Sequence, residues 1–206
     1  MSGAFPISSA AFETLGIKTI QPTIISKTDS GKRLTRQIQG QRFAFTASII
    51  TAKRSDVYGE LMAFIIKQRS SKENFTIIPP ELEDARGVES GTLAVNGSHT
   101  SGDTTIAIDG FASDTANRLR AGDFIKFNGH TKVYMVVSDV TSSSNAATVT
   151  IEPPLVSNLS DDEVVSYDNI PFTVFLTNDI QEFGVVGADK DGNLLYKFEL
   201  DVEEAL

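Results

Sequence analysis

Two pairs of consecutive prolines, Pro79-Pro80 and Pro153-Pro154, mark changes in the strand pattern of this 206-residue chain. Before the first pair and beyond Tyr167 the apolar runs are long, whereas between the pairs short runs alternate with turn sequences. Proline has no N–H to donate and is seldom found within a central strand. We therefore predict one discontinuous domain, residues 1–84 and 167–206, with residues 85–166 inserted as a second domain.

An alternating run predicts a half-buried strand in the first domain. Within residues 34–49, the apolar side chains of Phe43, Phe45, Ala47 and Ile49 occupy every second position. Successive side chains of a strand point to opposite faces, so this run presents one apolar face to a core.

A helix is predicted to follow over residues 55–69. Val57, Leu61, Phe64 and Ile65 have the spacing of one helix face, and Ser55 is placed as the N-cap residue. The first domain therefore combines strands with one helix.

Short strands separated by turns predict a small antiparallel barrel or sandwich for the inserted domain. The clearest signal is Asn128-Gly129, which lies between apolar runs at 124–127 and 132–137 and is typical of a hairpin. Residues 113–120 are predicted to form one or two helical turns. The predicted fold class is mainly β: a strand-rich domain with one α-helix, and an inserted small barrel or sandwich.

The residue types expected in an enzyme site are sparse. The chain has no cysteine, and its two histidines, His99 and His130, are predicted to be exposed turn residues. The Asp189, Asp191 and Asn193 spacing fits a β-turn better than a calcium loop, because Leu200 would occupy the last ligand position. We expect no catalytic residue, metal or cofactor, and therefore no enzymatic activity.

The composition also argues against two kinds of partner. No apolar run approaches the roughly 20 residues of a membrane span. The pI of about 4.7 is opposite to that of a nucleic-acid-binding domain. We expect no membrane partner and no direct nucleic-acid recognition.

Charge is distributed unevenly along the chain. Residues 1–72 carry 11 Lys and Arg against 4 Asp and Glu, whereas residues 73–206 carry 7 against 23. Either the two regions share one folded unit and offset each other, or a basic face of one copy meets an acidic face of the next. For the second alternative the candidate contact residues are Lys27, Lys32, Arg33, Arg36, Arg42, Glu199, Asp201, Glu203 and Glu204.

Several segments resemble tail proteins of long-tailed bacteriophages, and the family closest in architecture is the distal tail protein. The segments are Phe5-Pro6, 17–26, 30–33, 40–43, 67–69, 73–77, 121–127, 132–136 and 198–206. In that family a β-sandwich belt domain with a helix forms a six-membered ring under the tail tube, and a second β domain lies outside the ring.

The resemblance implies a structural virion protein whose homohexameric ring joins the tail tube to the tail tip or baseplate. Its implied partners are further copies of itself, the tail-tube protein and tail-hub or baseplate proteins. Assembly would take place in the host cytoplasm. Two alternatives remain open: a tail-tube or tail-completion ring protein, for which residues 26–42 would supply a long hairpin, and a carbohydrate-binding receptor-recognition module.

Overall fold

The computed structural model describes residues 3–38 and 40–206. The chain divides into two compact units. One, the sheet unit, consists of Met1–Thr76 and Thr173–Leu206, and the other, the barrel unit, consists of Ile77–Phe172.

Most of the described regular structure is β. In chain order the first strands are β1 (Phe12–Ile20), β2 (Thr23–Lys27), β3 (Arg33–Gln37), β4 (Arg42–Lys53), β5 (Phe75–Ile77), β6 (Leu93–Val95) and β7 (Thr105–Asp109). The remaining strands are β8 (Phe124–Phe127), β9 (Val133–Val136), β10 (Ala146–Glu152), β11 (Val164–Ser166), β12 (Phe172–Leu176), β13 (Phe183–Ala188) and β14 (Leu194–Glu204). Helical segments are α1 (Gly59–Lys67), a π-helical turn (Arg54–Tyr58), and 3-10 turns at Ser9–Ala11 and Ser70–Lys72.

The sheet unit is organised around β14. One edge of β14 pairs antiparallel with β4, and β4 in turn pairs antiparallel with β1. The other edge pairs with β13 near its start and with β12 near its end. The sheet order is β1-β4-β14-β12-β5, with β13 attached to β14.

The alternation predicted for β4 is confirmed. Phe43, Phe45, Ala47 and Ile49 are all at most 2% exposed, and the residues between them are half-buried. The helix buries Leu61 and Ile65. A β-strand and an amphipathic helix thus supply the two apolar surfaces of this core.

The predicted strand over residues 34–49 is instead two strands. The strand is interrupted between β3 and β4, where Gly40 has a φ of +109°, a conformation that costs other residues strain. Gln39, which the prediction also included, lies outside the described residues.

The helix is present, but Ser55 is not its N-cap. The helical region begins with the π-helical turn, and Ser55 lies inside it with Oγ donating to Asp56 Oδ1 at 2.9 Å. Gly59 permits this wide turn, because a Cβ there would lie 2.9 Å from the Arg54 carbonyl oxygen. The sequence pattern located the apolar face correctly but not the geometry of the first turn.

The barrel unit closes a sheet in the order β10-β7-β6-β11-β8-β9, with β9 returning to β10. Its interior is filled by side chains from all six strands, together with residues from the loops. Among those fully buried are Leu93, Ile108, Phe111, Phe127, Tyr134, Val149 and Ile151. The predicted mainly-β fold class, with an inserted small barrel, is confirmed.

The helical turns predicted at residues 113–120 are absent from the structure. Arg118 N–H donates to the Val140 carbonyl and Val140 N–H donates to the Leu119 carbonyl, both at 2.9 Å. Asn117 also has a φ of +59°. This backbone therefore bonds to a neighbouring segment and not to itself.

Candidate subunit interface

A two-stranded ribbon extends the β1–β4 hairpin. Ile20 lies opposite Arg42 at the end of that ladder, and after the interruption at Pro22 the pairing resumes with Thr23 opposite Gln37. All ten residues of β2 and β3 are exposed. We call β2, β3 and their connecting turn the ribbon; its strands add about 17 Å to the hairpin.

The two faces of the ribbon differ chemically. Directly opposed residues of an antiparallel pair lie on the same face. Ile24 opposes Arg36, Ser26 opposes Leu34, and Ile38 N–H donates to the Pro22 carbonyl at 2.9 Å. The first face, which we call the apolar face, carries Ile24, Leu34 and Ile38, which are 54%, 49% and 44% exposed.

The opposite face of the ribbon is mainly polar and basic. Lys27 lies opposite Arg33, and Ile25 lies opposite Thr35. Lys32 lies in the tight turn that Thr28 closes by donating its N–H to the Lys32 carbonyl at 3.0 Å. The predicted contact residues Lys27, Lys32, Arg33 and Arg36 are therefore all exposed on this ribbon, but Arg36 is on the apolar face.

The structure places the predicted acidic residues on both faces of β14. Glu199, Asp201 and Glu203 share the face away from the core. Glu203 Oε1 pairs with Arg42 Nη1 at 2.9 Å, and Asp201 Oδ1 accepts from Thr46 Oγ1 at 2.8 Å. Glu199 is exposed.

Glu204 and Arg42 already have bonding partners within the same chain. Glu204 is fully buried, and its Oε2 accepts the Phe43 N–H at 3.1 Å. Because Arg42 already pairs with Glu203, it also contributes less free charge than the ribbon cations. Among the predicted acidic residues, Glu199 and Asp201 are left as the ones best placed for a neighbouring chain.

A second exposed apolar surface lies at the far end of the sheet. We call Val185, Val186 and Leu194 the β13 patch; they are 52%, 56% and 51% exposed. Val185 opposes Tyr196, and Ala188 opposes Leu194, so Val185 and Leu194 lie near each other on the ladder. In the ladders of the described residues β13 pairs with β14 alone, which leaves its other edge open.

The barrel holds a buried ion pair with a structural role. Glu89 Oε2 lies 2.6 Å from both Nε and Nη2 of Arg118, and Oε1 accepts the N–H groups of Ser90, Gly91 and Ala112. Burial raises the pKa of Glu89, but the hydrogen bonds from Arg118 and the backbone outweigh it and hold the pKa below the ordinary 4.5. The pair ties three loop segments to one carboxylate.

The histidines are structural, and the prediction that both are exposed turn residues is wrong, because His130 is buried and His99 is half-buried. His130 is 8% exposed, and its Nδ1 lies 2.9 Å from the Tyr134 hydroxyl. His99 Nε2 accepts the Ala107 N–H at 3.1 Å. No sequence signal separates such a buried turn histidine from an exposed one.

The Asp189 segment forms a turn, as predicted. Asp189 Oδ1 accepts the N–H groups of Asp191 and Asn193, and Lys53 pairs with Oδ2. These bonds hold the pKa of Asp189 well below its usual range. Among residues 3–38 and 40–206, no group of three or more His, Asp or Glu side chains is arranged to hold a metal ion.

Two further properties bear on the partners of the protein. Within the described part of the chain, no helix has the length and apolarity needed to cross a bilayer. The sheet unit carries 13 Lys and Arg against 13 Asp and Glu, whereas residues 77–172 carry 5 against 14, a net charge of −9. The whole net charge of the chain therefore resides in the barrel unit.

Comparison with known proteins gives a match at the barrel. A family model described as the B domain of the distal tail protein pb9 matches residues 84–170. No curated protein sequence matches the chain. The matched range coincides with the closed barrel and its two connecting segments, and the family is that of a structural phage tail protein. The barrel of this chain is thus similar to the B domain of a bacteriophage distal tail protein, which supports the resemblance seen in the sequence.

Proposed function

We propose that this chain is a distal tail protein and forms a closed ring, of six subunits as in the family it resembles, that joins the tail tube to the tail tip or baseplate. The observation that carries the proposal is the ribbon, which projects from the sheet unit with exposed apolar residues on a two-stranded element. An isolated ribbon of two strands is only marginally stable in water. Contact with another chain would bury its apolar face and hold it in place.

The open edges of the sheet unit support the same proposal. Among the described strands, β1 pairs with β4 alone and β13 pairs with β14 alone. Unpaired strand edges favour pairing with other chains, and a closed ring satisfies them without producing open fibres. We assign ring formation to residues 1–84 and 167–206, and a peripheral position to the inserted domain of residues 85–166.

Charge would guide the same contact. Lys27, Lys32, Arg33 and Arg36 on one copy would approach Glu199 and Asp201 on the next. Rim charges mainly set the rate of association and the register of the contact, and each exposed pair contributes only about 0–1 kcal/mol. The tail-tube protein and hub proteins would then bind the two surfaces of the completed ring, in the virion and after assembly in the host cytoplasm.

Native mass spectrometry and negative-stain imaging of the purified full chain test this proposal. We expect one dominant species of six subunits and a ring with a central opening. A monomer that persists at high protein concentration, together with the absence of a ring of this protein in virions, would contradict it. We expect no hydrolase, transferase or metal-dependent activity from the same preparation.

A tail-tube or tail-completion protein is the second candidate, because the exposed ribbon is the kind of long hairpin that such proteins carry. The same images distinguish the two functions. A distal tail protein forms discrete rings, whereas a tube protein stacks into filaments of variable length. Labelled antibodies against the barrel unit would mark the end of the tail in the first case and its full length in the second.

A further inference from the structure

Both Asn-Gly dipeptides of the chain lie at the same end of the barrel. Asn96-Gly97 directly follows β6, and Asn128-Gly129 directly follows β8. The strand β11 pairs antiparallel with both of these strands, so the start of β11 lies beside the two dipeptides. We call the three acidic residues that precede β11, residues 161–163, the β11 turn.

Two carboxylates of the β11 turn bind the two glycine N–H groups. Asp161 Oδ1 accepts the Gly97 N–H at 2.6 Å, and Glu163 Oε1 accepts the Gly129 N–H at 2.7 Å. Asp162, between them in the sequence, is exposed and has a φ of +60°. Each glycine nitrogen is thus held by its own carboxylate, in a short hydrogen bond to an ionised acceptor.

An Asn-Gly dipeptide is a common site of spontaneous deamidation, because glycine has no side chain to hinder its own nitrogen. That nitrogen attacks the side-chain Cγ of the asparagine, so that an N–Cγ bond forms and the Cγ–Nδ2 bond breaks. Nδ2 leaves as ammonia and takes the proton that the glycine nitrogen gives up. Water then opens the succinimide ring, and an aspartate or an isoaspartate replaces the asparagine. Asn96 and Asn128 are both exposed, so water reaches each of them.

We propose that Asp161 protects Asn96, and that Glu163 protects Asn128, from this deamidation. The glycine nitrogen must give up its proton to attack, and in both turns that proton lies in the hydrogen bond to the carboxylate. Its removal would leave two negative charges facing each other and would break a charge-assisted hydrogen bond. A carboxylate is also far too weak a base to take up an amide proton itself. The two carboxylates therefore raise the barrier to the attack.

The backbone on the other side of each asparagine strengthens the protection. Asn96 N–H donates to the Ala107 carbonyl at 2.9 Å, and Asn128 N–H donates to the Val164 carbonyl at 3.0 Å. Ring closure needs rotation about the Cα–C bond of the asparagine, and the hydrogen bonds on both sides of that bond oppose the rotation. Every contact in this inference lies within the barrel unit, so the inference does not depend on the proposed ring.

Peptide mass spectrometry of the full chain measures the protection at each site. The protein is incubated at mildly alkaline pH, and tryptic peptides 87–118 and 127–132 report on Asn96 and Asn128 separately. Asp161→Ala should increase the deamidation rate of Asn96 about tenfold or more, because a hydrogen bond to a charged group is lost, and leave the rate at Asn128 unchanged. Glu163→Ala should have the reverse effect.

Two controls accompany these variants. Asp162→Asn removes a negative charge from the same turn at a position whose positive φ asparagine tolerates, and it should change neither rate. The parent protein unfolded in urea gives the rate without protection, and the native parent should be slower at both sites. Circular dichroism verifies that each variant is folded.

Three results would overturn the inference. The first is an equal rate for the native and the urea-unfolded parent. The second is a rate at Asn96 that Asp161→Ala leaves unchanged or lowers. The third is acceleration at both sites by all three variants, since this would indicate general loosening of the β11 turn and not the loss of one specific bond.

A second pair of variants covers the case in which an alanine variant does not fold. Asp161→Asn and Glu163→Gln keep the shape of the side chains and remove only the charge. Each should accelerate deamidation at its own asparagine alone, by a smaller factor than alanine, because a neutral acceptor forms a weaker hydrogen bond. Equal rates at both sites in these variants and in the parent would overturn the inference.

Discussion

The sheet unit and the barrel unit solve the problem of strand edges in opposite ways. The barrel closes through the β9–β10 pair, so each of its strands has two partners. The sheet unit leaves edges of β1 and β13 without partners among the described strands, and it extends the ribbon into solvent. Closure removes strand edges altogether, whereas an open sheet must cover them or present them to another chain.

The two units also differ in their net charge. The sheet unit is balanced, with 13 charges of each sign, and the barrel unit carries the entire net charge of −9. Net charge favours solubility and opposes self-association, while balanced charge permits close contact between copies. The balanced charge of the sheet unit fits the proposed assembly through that unit, and the negative charge of the barrel unit fits its proposed peripheral position.

The largest expected effect is on the internal stability of the barrel. Arg118→Ala leaves the buried Glu89 carboxylate without its cation, and we expect the free energy of unfolding of this unit to fall by about 3–5 kcal/mol. Urea unfolding monitored by amide hydrogen exchange measures this free energy for the barrel unit. Arg120→Ala, at an exposed neighbouring arginine, should change the free energy by less than about 0.5 kcal/mol. Similar losses for both variants would mean that the pair is not the structural link between the loops.

The second effect is a loss of barrel stability at low pH. The folded-state pKa of Glu89 lies below its ordinary 4.5, so its contribution is fully present above that value and is lost as pH falls through the folded pKa. The difference in unfolding free energy between the parent protein and Glu89→Gln should therefore be constant near neutral pH and shrink below about pH 4.5. Urea titrations at a series of pH values measure this difference. A constant difference down to pH 3 would contradict the assignment.

A smaller effect is expected from the ribbon charges. The combined change of Lys32, Arg33 and Arg36 to Glu should slow ring formation at low salt and leave the monomer folded, because exposed charges act mainly on the association rate. Stopped-flow light scattering measures the rate. The control variant replaces three other exposed cations of the sheet unit, Arg54, Arg69 and Lys72, with Glu. Its net charge changes by the same amount as that of the ribbon variant. If both triple variants assemble at the parent rate, the ribbon cations do not guide assembly.

The smallest effect is predicted for removal of the whole inserted domain. Ala85 N–H donates to the Tyr167 carbonyl at 3.0 Å, and Ile170 N–H donates to the Glu83 carbonyl at 3.1 Å, so the two connections run side by side. Deletion of residues 85–166 with a short linker should leave a cooperatively unfolding sheet unit that still forms rings. Calorimetry and native mass spectrometry check both points. A molten product would contradict the domain boundaries.

The sequence predicted the elements whose pattern is local. The alternation at Phe43 to Ile49, the helical spacing from Val57 to Ile65 and the Asn128-Gly129 hairpin each depend on neighbouring residues, and all three are present. The first turn of the helix and the segment 113–120 were predicted wrongly. In both places contacts with distant backbone or a close approach at Gly59 outweigh local preference.

The candidate site was predicted only in part for the same reason. The ribbon cations could be read from the sequence, but the shared face of Ile24, Leu34 and Ile38 follows from the register of two strands. The burial of Glu204 likewise follows from its position on the core face of β14, beside the Phe43 N–H. The acidic run at residues 199–204 reads as one surface in the sequence, while a strand divides it between two faces.

The sequence by itself determined the mainly-β class and the absence of a recognisable catalytic motif, because these depend on residue types and short spacings. Only the tertiary structure decided that the basic N-terminal region and the acidic C-terminal strand balance each other within one unit, leaving the net charge on the barrel. Only it placed the ribbon and the β13 patch at opposite ends of β4. Such relations join residues more than 140 positions apart, and they arise from strand pairing and register, which no local pattern specifies.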